Sequence, residues 1–197
     1  MFDLNLWLNI NKALPLYIII LSALESIIFV DIRGFLFFIG AFGCEVLNII
    51  LKYNIFKPFY HMFGRFKNGG YYLPLLGRGD RPLGAKHCNW FDNCGECKND
   101  LPLNSFGMPS GHSQFIMYSS TFLIAYLYFK YFKTKKYSLI KSYFYPIVTF
   151  IAVLSICAVY TRITLKCHTI QHVLLGGMIG IKIGLLYFLT VKNFFIQ

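Results

Sequence analysis

Residues 143–190 decide the fold, with YFYPIVTFIAVLSICAVY at 143–160, TRITLKCHT at 161–169 and IQHVLLGGMIGIKIGLLYFLT at 170–190. The first and last of these runs are apolar and have about the 17 to 25 residues that a helix needs to cross a bilayer. Three further apolar runs lie at 13–30, 35–51 and 113–132, the last of them more polar at its start. The sequence therefore predicts an all-α fold, a polytopic membrane helix bundle of about five transmembrane helices.

The composition agrees with a membrane protein. Of the 197 residues, 56% are hydrophobic and only 14% are charged, and the formal net charge is +11. An ordinary soluble domain carries more charge and less apolar surface. We expect one integral membrane domain over 1–197 that lies in the bilayer and does not bind nucleic acid. The first twelve residues have no basic leader and predict an interfacial segment rather than a signal peptide.

The loops predict the orientation. The connection 130–142 contains five lysines and no acidic residue, which is typical of a cytoplasmic loop. The span ends at His112, Arg162 and His168 would then share the non-cytoplasmic face with the long loop 53–109. We expect this face to belong to the endoplasmic reticulum or another endomembrane in a eukaryote or virus, and to the plasma membrane in a bacterium.

The long loop has apolar and aromatic residues that predict packed structure, and it contains a cluster of possible cross-linking groups. Cys88, Cys94 and Cys97 lie in the loop, and Cys167 lies on the same face. We favour disulfides in an oxidising compartment, for example Cys94 to Cys97 or Cys88 to Cys167. The alternative is a structural zinc held by His87, Cys88, Cys94 and Cys97.

The tetrapeptide Pro109-Ser110-Gly111-His112 follows the loop directly. Ser110 suits the N-cap of the next helix, so backbone amides and the helix dipole would face an anion there. Gly111 allows close approach of the backbone. His112 titrates near neutral pH and could deliver a proton to a leaving oxygen. The segment therefore predicts a phosphate site, although it could be a plain junction of loop and helix.

A second basic segment enters the last span. An arginine at the mouth of a membrane span, such as Arg162, is costly unless an anion or another group pairs with it. From there a stripe of two histidines and three glycines recurs every four residues: His168, His172, Gly176, Gly180 and Gly184. The glycines predict close packing of a neighbouring helix, which would turn both histidines toward the bundle interior.

The second span has a polar face of its own. Glu45, Asn48 and Lys52 lie at positions i, i+3 and i+7 and share one side of a helix. Three such groups do not face lipid. A carboxylate as deep as that of Glu45 must be paired or neutral.

Together these residues resemble the type 2 phosphatidic acid phosphatase superfamily of integral membrane lipid phosphatases. That family has Lys, six residues and Arg-Pro, then Pro-Ser-Gly-His, then Ser-Arg, five residues, His, three residues and Asp. The second motif is intact at 109–112, and the third runs from Thr161 to His168 with its spacing from arginine to histidine preserved. Residues 107–114 and His168-Thr169 are most similar to the dolichyl-diphosphatase branch.

The first motif departs from the family pattern. Phe59 stands seven residues after Lys52, and Arg-Pro occurs only at Arg81-Pro82. We interpret this as an insertion that returns Arg81 to the site, with Arg78 as the competing arginine.

The third motif departs as well, because His172 stands where the family has the Asp that orients its nucleophile. No acidic residue follows Asp100. A carboxylate partner for His168 could come only from Glu25, Glu45, Asp80 or another acid of the first half.

The resemblance implies that His168 attacks phosphorus to form a phosphohistidine and that His112 protonates the leaving group. Neither a metal nor another cofactor is implied. The groups expected to bind the phosphate oxygens are Lys52, Arg81, Arg162 and the Ser110-Gly111 backbone. The expected partner is a lipid phosphate or diphosphate monoester, of the polyprenyl diphosphate or phosphatidic acid type. His172 and Glu45 are possible orienting residues.

Two other functions remain open at this point. A lipid phosphotransferase would use the same intermediate with an alcohol acceptor. A non-catalytic lipid-binding membrane protein would account for the missing Asp and the displaced Arg-Pro.

Overall fold

The computed structural model describes residues 4–67, 70–82, 85, 106–133 and 143–195. The helices are α1 (Leu4–Phe29), α2 (Ile32–Ile50), α3 (Lys57–Phe63), α4 (Gly111–Tyr128), α5 (Phe144–Thr164) and α6 (Ile170–Val191). Within these described ranges, four stretches are long and apolar enough to cross a membrane: Ile10–Phe29, Ile32–Phe63, Phe144–Thr164 and Ile170–Phe195. The predicted polytopic helix bundle is confirmed.

Helix α4 is the central helix of this bundle. It packs most extensively on α6 and also contacts α1, α2 and α5. Its polar side chains are buried among these helices and include Ser113, Gln114, Ser119 and Ser120. Because its neighbours shield it, α4 can carry hydroxyl and amide groups that would be unfavourable against lipid. This placement explains why the run 113–132 is more polar than the others.

The glycines of α6 form the contact with α4. Gly176, Gly180 and Gly184 lie against the α4 backbone at residues 110, 114 and 118 respectively. A Cβ on Gly184 would lie 2.6 Å from the Tyr118 carbonyl oxygen, and the other two positions are tighter still. The predicted packing role of the stripe is confirmed, and it holds the first turn of α6 inside the bundle.

Polar side chains join α2 to α4. The Asn48 amide donates to Gln114 Oε1 at 2.9 Å, and the Gln114 amide donates to the Cys44 carbonyl at 3.1 Å. Asn48 also lies against Gly111, where a Cβ would be 2.8 Å from its Oδ1. The polar face predicted for the second span therefore turns inward at Asn48 and brings α2 close to the start of α4.

The second span is longer than the sequence predicted. Instead of ending before a loop at residue 53, the helix continues through a π-helical turn, Leu51–Phe56, into α3. Pro58 lies in the first turn of α3, a position where the fixed φ of proline suits a helix. The π-turn is wide enough to join the two helices without a break. Lys52 therefore lies within a continuous helix.

The rest of the long loop contains a small antiparallel sheet, β1 (Arg65–Lys67), β2 (Gly70–Leu73) and β3 (Gly77–Arg78), in the order β1-β2-β3. Arg65 pairs with Tyr72, and Tyr72 pairs with Arg78. An apolar cluster under the sheet consists of Tyr60, Leu73, Phe106 and Met108. The described part of the loop is packed, as predicted, but its strands were not foreseen. They are short additions to a bundle that is otherwise all-α.

The cysteines are described only in part. Cys167 is disulfide-bonded, whereas Cys44 and Cys157 are free. The cluster of His87, Cys88, Cys94 and Cys97 lies outside the described residues. Its pairings and the zinc alternative therefore stay predictions.

Candidate active site

The basic segments predicted from the sequence meet at one end of the bundle. The Ser110 amide donates to the His172 carbonyl at 3.0 Å, which joins the start of α4 to the first turn of α6. The Cys167 and His168 amides donate to the Arg162 carbonyl at 3.0 and 3.2 Å, which folds the connection between α5 and α6 back on the end of α5. These backbone contacts fix the relative positions of both segments.

Ser110 is the N-cap of α4, as predicted. Its side chain accepts a hydrogen bond from the Ser113 amide at 3.4 Å, and the Ser113 hydroxyl donates to it at 3.0 Å. Ser110 is fully buried. The first turn of α4 therefore points its backbone amides, which carry the positive end of the helix dipole, into the interior at this end of the bundle.

His168 lies between α5 and α6 and is only 4% exposed. Its Nδ1 is buried and has no hydrogen-bond partner in the described part of the chain. Burial, followed by the positive charge of Arg81, holds the pKa of His168 well below its ordinary value; His172, Arg162 and Lys52 act in the same direction. The imidazole is therefore neutral at physiological pH, which is the form that can act as a nucleophile.

Three cations surround this histidine. Arg162 is 1% exposed and is the largest fully buried side chain of the residues that the structure describes. The charge of Arg81 acts on both Arg162 and Lys52. Like charges that act on one another in a buried site disfavour one another, and a phosphate among them would relieve the repulsion. Lys52, Arg81 and Arg162 thus form an environment suited to an anion.

The structure distinguishes the two arginines that compete for the first motif. The charge of Arg81 reaches Lys52, Arg162 and His168. The Arg78 guanidinium lies instead beside Gly70, where a Cβ would be 2.9 Å from two of its nitrogens. Phe59, at the position of the family arginine, is 42% exposed. Arg81 is therefore the arginine that acts electrostatically on Lys52, Arg162 and His168, and its place in the first motif stays a prediction.

His172 makes a contact that the sequence did not suggest. Its Nε2 lies 2.6 Å from the Arg78 carbonyl oxygen, so the imidazole attaches the loop to the first turn of α6. Gly107 packs on the ring, since a Cβ there would lie 2.7 Å from its Cε1. The ring meets that of His168 edge-on, with centroids 5.7 Å apart. Among the described residues no hydrogen bond joins the two rings, so an orienting role for His172 stays a prediction.

No acid takes the place of the missing family Asp in the described part of the chain. Glu45 acts on Lys52 but does not contribute to the electrostatic environment of His168. The Asp80 carboxylate accepts a hydrogen bond from the Tyr71 amide at 3.0 Å in the sheet. Glu25 lines a cavity elsewhere in the bundle. A carboxylate partner for His168 is therefore not found in these residues.

His112 lies in the first turn of α4, and its imidazole hydrogen-bonds the backbone of Asn11 in α1. Its other ring nitrogen, Nε2, is buried and has no hydrogen-bond partner among the residues that the structure describes. The charge of Arg162 acts on the ring. Asn11 was missed from the sequence, since it falls in the segment predicted to be interfacial. Helix α1 in fact begins at Leu4 and runs without a break into the first span.

A cavity of about 650 Å³ lies between α1, α2, α4 and α5 and is lined mainly by apolar side chains. Its lining begins at Leu14 and Ile116, about one helical turn from Asn11 and His112 respectively, and reaches Arg33 at the start of α2. The cavity contains none of the cations around His168. It lies beside the site and extends away from it through the bundle.

Comparisons with known proteins agree with this architecture. The PAP2 superfamily matches residues 75–196. The chain is 33% identical over 98 residues to Dolichyldiphosphatase 1 of Dictyostelium discoideum, covering 49% of this chain and 40% of that protein. It is 30% identical over 94 residues to the Dolichyldiphosphatase of Saccharomyces cerevisiae, covering 48% of this chain and 37% of that protein.

The chain thus matches less than half the length of each of these relatives. No solved structure matches it. The superfamily match covers more than half of the chain and includes the second and third motifs, while Lys52 lies before it. The chain therefore belongs to the PAP2 superfamily.

Proposed function

We propose that this protein is a metal-independent membrane lipid phosphatase that hydrolyses a lipid phosphate or diphosphate monoester through a phosphohistidine on His168. The observation that carries the proposal is the neutral, buried His168 beside Lys52, Arg81 and Arg162. Membership of the PAP2 superfamily and the names of the two relatives support the reaction class.

In the proposed first step, an imidazole nitrogen of His168 attacks phosphorus. The nitrogen–phosphorus bond forms as the bond from phosphorus to the leaving oxygen breaks. His112, entering as the imidazolium, gives its Nε2 proton to that oxygen, so the leaving group is an alcohol from a lipid monophosphate and a lipid monophosphate from a lipid diphosphate. Water then attacks the phosphohistidine and passes a proton to His112, and the nitrogen–phosphorus bond breaks to release inorganic phosphate. This restores the neutral imidazole of His168 and the imidazolium of His112.

The cations and the helix terminus would stabilise the transferring phosphoryl group. Its charge is spread over three equatorial oxygens in the transition state, and Lys52, Arg81 and Arg162 can each meet that charge. The Ser110-Gly111 backbone adds amides at the start of α4. Donors fixed in place before the reaction are effective because they need no reorganisation.

The cavity supports a lipid substrate. It begins about one turn from His112 and is mainly apolar, so a chain leaving the phosphate site can enter it and avoid water. Both relatives are named for a dolichyl diphosphate activity, and a polyprenyl diphosphate is the substrate class that we propose first, ahead of phosphatidic acid. The basic loop 130–142 supports a site on the non-cytoplasmic face.

The test is a phosphate-release screen of purified protein in EDTA on polyprenyl diphosphate, polyprenyl monophosphate and phosphatidic acid. We expect release from at least one lipid and none from the His168→Ala variant. Transfer of phosphate to an added alcohol, with little free phosphate, would indicate a phosphotransferase. No turnover on any of the three lipids by a folded protein would favour a non-catalytic lipid-binding role.

A further inference from the structure

Helix α1 has a proline in its interior, Pro15. Proline has no backbone N–H, so it cannot donate the hydrogen bond that a helical residue gives to the carbonyl four residues earlier. Here that carbonyl belongs to Asn11, which is 1% exposed. A buried carbonyl deprived of its helical donor is unfavourable unless another donor reaches it.

The donor that reaches Asn11 is His112. The imidazole hydrogen-bonds the Asn11 backbone, and within the described ranges Nε2 is the ring nitrogen that has no hydrogen-bond partner. Nδ1 therefore makes the bond. The Asn11 amide is occupied, since it lies well inside a helix that begins at Leu4 and donates within it. The acceptor is thus the carbonyl that Pro15 leaves open.

We propose that Pro15 is a positioning residue that frees the Asn11 carbonyl to hold Nδ1–H of His112, so that Nε2 handles the proton of the reaction. This inference rests on the function proposed above and adds to it how the general acid is oriented. The hydrogen bond made by one imidazole nitrogen determines which tautomer is present and which nitrogen remains for catalysis. Pro15 acts through the backbone and does not touch the substrate.

The proposal distinguishes substrates by their leaving groups. A lipid monophosphate must expel an alkoxide, which needs a proton in the transition state, whereas a lipid diphosphate expels a lipid monophosphate, which is a good leaving group. General acid catalysis contributes about 10² to 10⁴ in rate. Partial loss of orientation should therefore slow the monophosphate reaction by about 10-fold and the diphosphate reaction much less.

The test compares Pro15→Ala with Pro146→Ala. In Pro15→Ala the new amide competes with His112 for the Asn11 carbonyl, and the helix should be at least as stable, because alanine is a better helix former. Pro146→Ala makes the same substitution in the first turn of α5, where the new amide has no helical acceptor. It is the matched control.

Two measurements decide the outcome. ¹⁵N NMR of histidine-labelled protein in nanodiscs, recorded at a pH at which His112 is neutral and assigned with a His112→Gln sample, should show one His112 tautomer, protonated at Nδ1, in the wild type and in Pro146→Ala. In Pro15→Ala the spectrum should show a mixture of tautomers. Steady-state kinetics on lipid monophosphate should give a kcat about 10-fold lower in this variant and an unchanged KM.

An unchanged tautomer and unchanged rates in Pro15→Ala would overturn the inference. An inactive wild-type protein in which Pro15→Ala still shifts the tautomer would refute the proposed function and support the hydrogen bond. The two failures are therefore distinguishable.

Discussion

Replacing Arg81 with Ala tests how the interrupted first motif is completed. The Arg81 charge reaches Lys52, Arg162 and His168, so the substitution removes one of three cations around the proposed nucleophile. Removing one preorganised donor to a developing charge costs about 10² to 10³ in kcat, or about 2.7–4 kcal/mol. Because Arg81 is half-buried and two cations remain, we expect the lower end, about 100-fold.

The same substitution should move the acid limb of the pH profile. After burial, Arg81 is the largest contributor to the lowered pKa of His168, so its loss raises that pKa toward the ordinary value. His168 must be neutral to attack, and as the pH falls it is protonated earlier in the variant. The acid limb of kcat/KM, which reports the free enzyme, should therefore shift to higher pH.

The assay is phosphate release by purified protein from the best lipid substrate, across pH, for a set of four variants. Arg81→Lys keeps the charge but lacks the bidentate fork, so it should recover part of the rate and leave the acid limb in place. Arg78→Ala keeps the carbonyl that His172 contacts, and Phe59→Ala removes an exposed side chain; both should stay active. Full activity in Arg81→Ala together with inactivity in Arg78→Ala would refute our assignment of the motif.

His172→Leu should raise KM and lower kcat, because it removes the hydrogen bond that joins the loop to α6, whereas His172→Asn keeps a donor and should retain more of the activity. Equal kinetics in the two variants would show that the contact with the Arg78 carbonyl does not matter for activity. Gly180→Ala should lower the free energy of unfolding by about 1–3 kcal/mol, because the new Cβ meets the α4 backbone. Gly43→Ala, which has open space around it, should leave that free energy unchanged, and thermal unfolding in detergent measures both variants. Cys167→Ser should lower the Tm only under oxidising conditions, and Cys157→Ser should leave it unchanged; equal melting of oxidised wild type and Cys167→Ser would show that the disulfide does not stabilise the loop.

Much of the fold follows from patterns that are visible in the sequence. The apolar runs predict the spans because membrane helices must be long and apolar, and the glycines of α6 predict a close neighbour because small residues let backbones approach. The extension of α2 to Phe63 was not predictable in this way. In the sequence, Lys52 and Pro58 are typical of a helix end. In the structure, the helix continues past both of them, because a π-turn at Leu51–Phe56 leads into α3 with Pro58 in its first turn.

The site was predictable where side chains form ordered motifs at span ends, as at Ser110, whose N-cap role the structure confirms. Contacts made through backbone carbonyls were not. Neither the Arg78 carbonyl at His172 nor the Asn11 backbone at His112 depends on the residue type that provides it. Only Pro15, four residues after Asn11, leaves a trace in the sequence, and it gains meaning once α1 is known to lie beside α4.

The central claim is that His168 carries the phosphoryl group between the two steps, and trapping that intermediate tests it most directly. Purified protein is mixed briefly with the best lipid substrate, labelled with ³²P in its terminal phosphate, and quenched in alkali, which preserves phosphohistidine. Our account predicts an acid-labile label on the peptide that contains His168 and none in the His168→Ala variant. Phosphate release by the wild type without label on that peptide, or label that persists in His168→Ala, would contradict it.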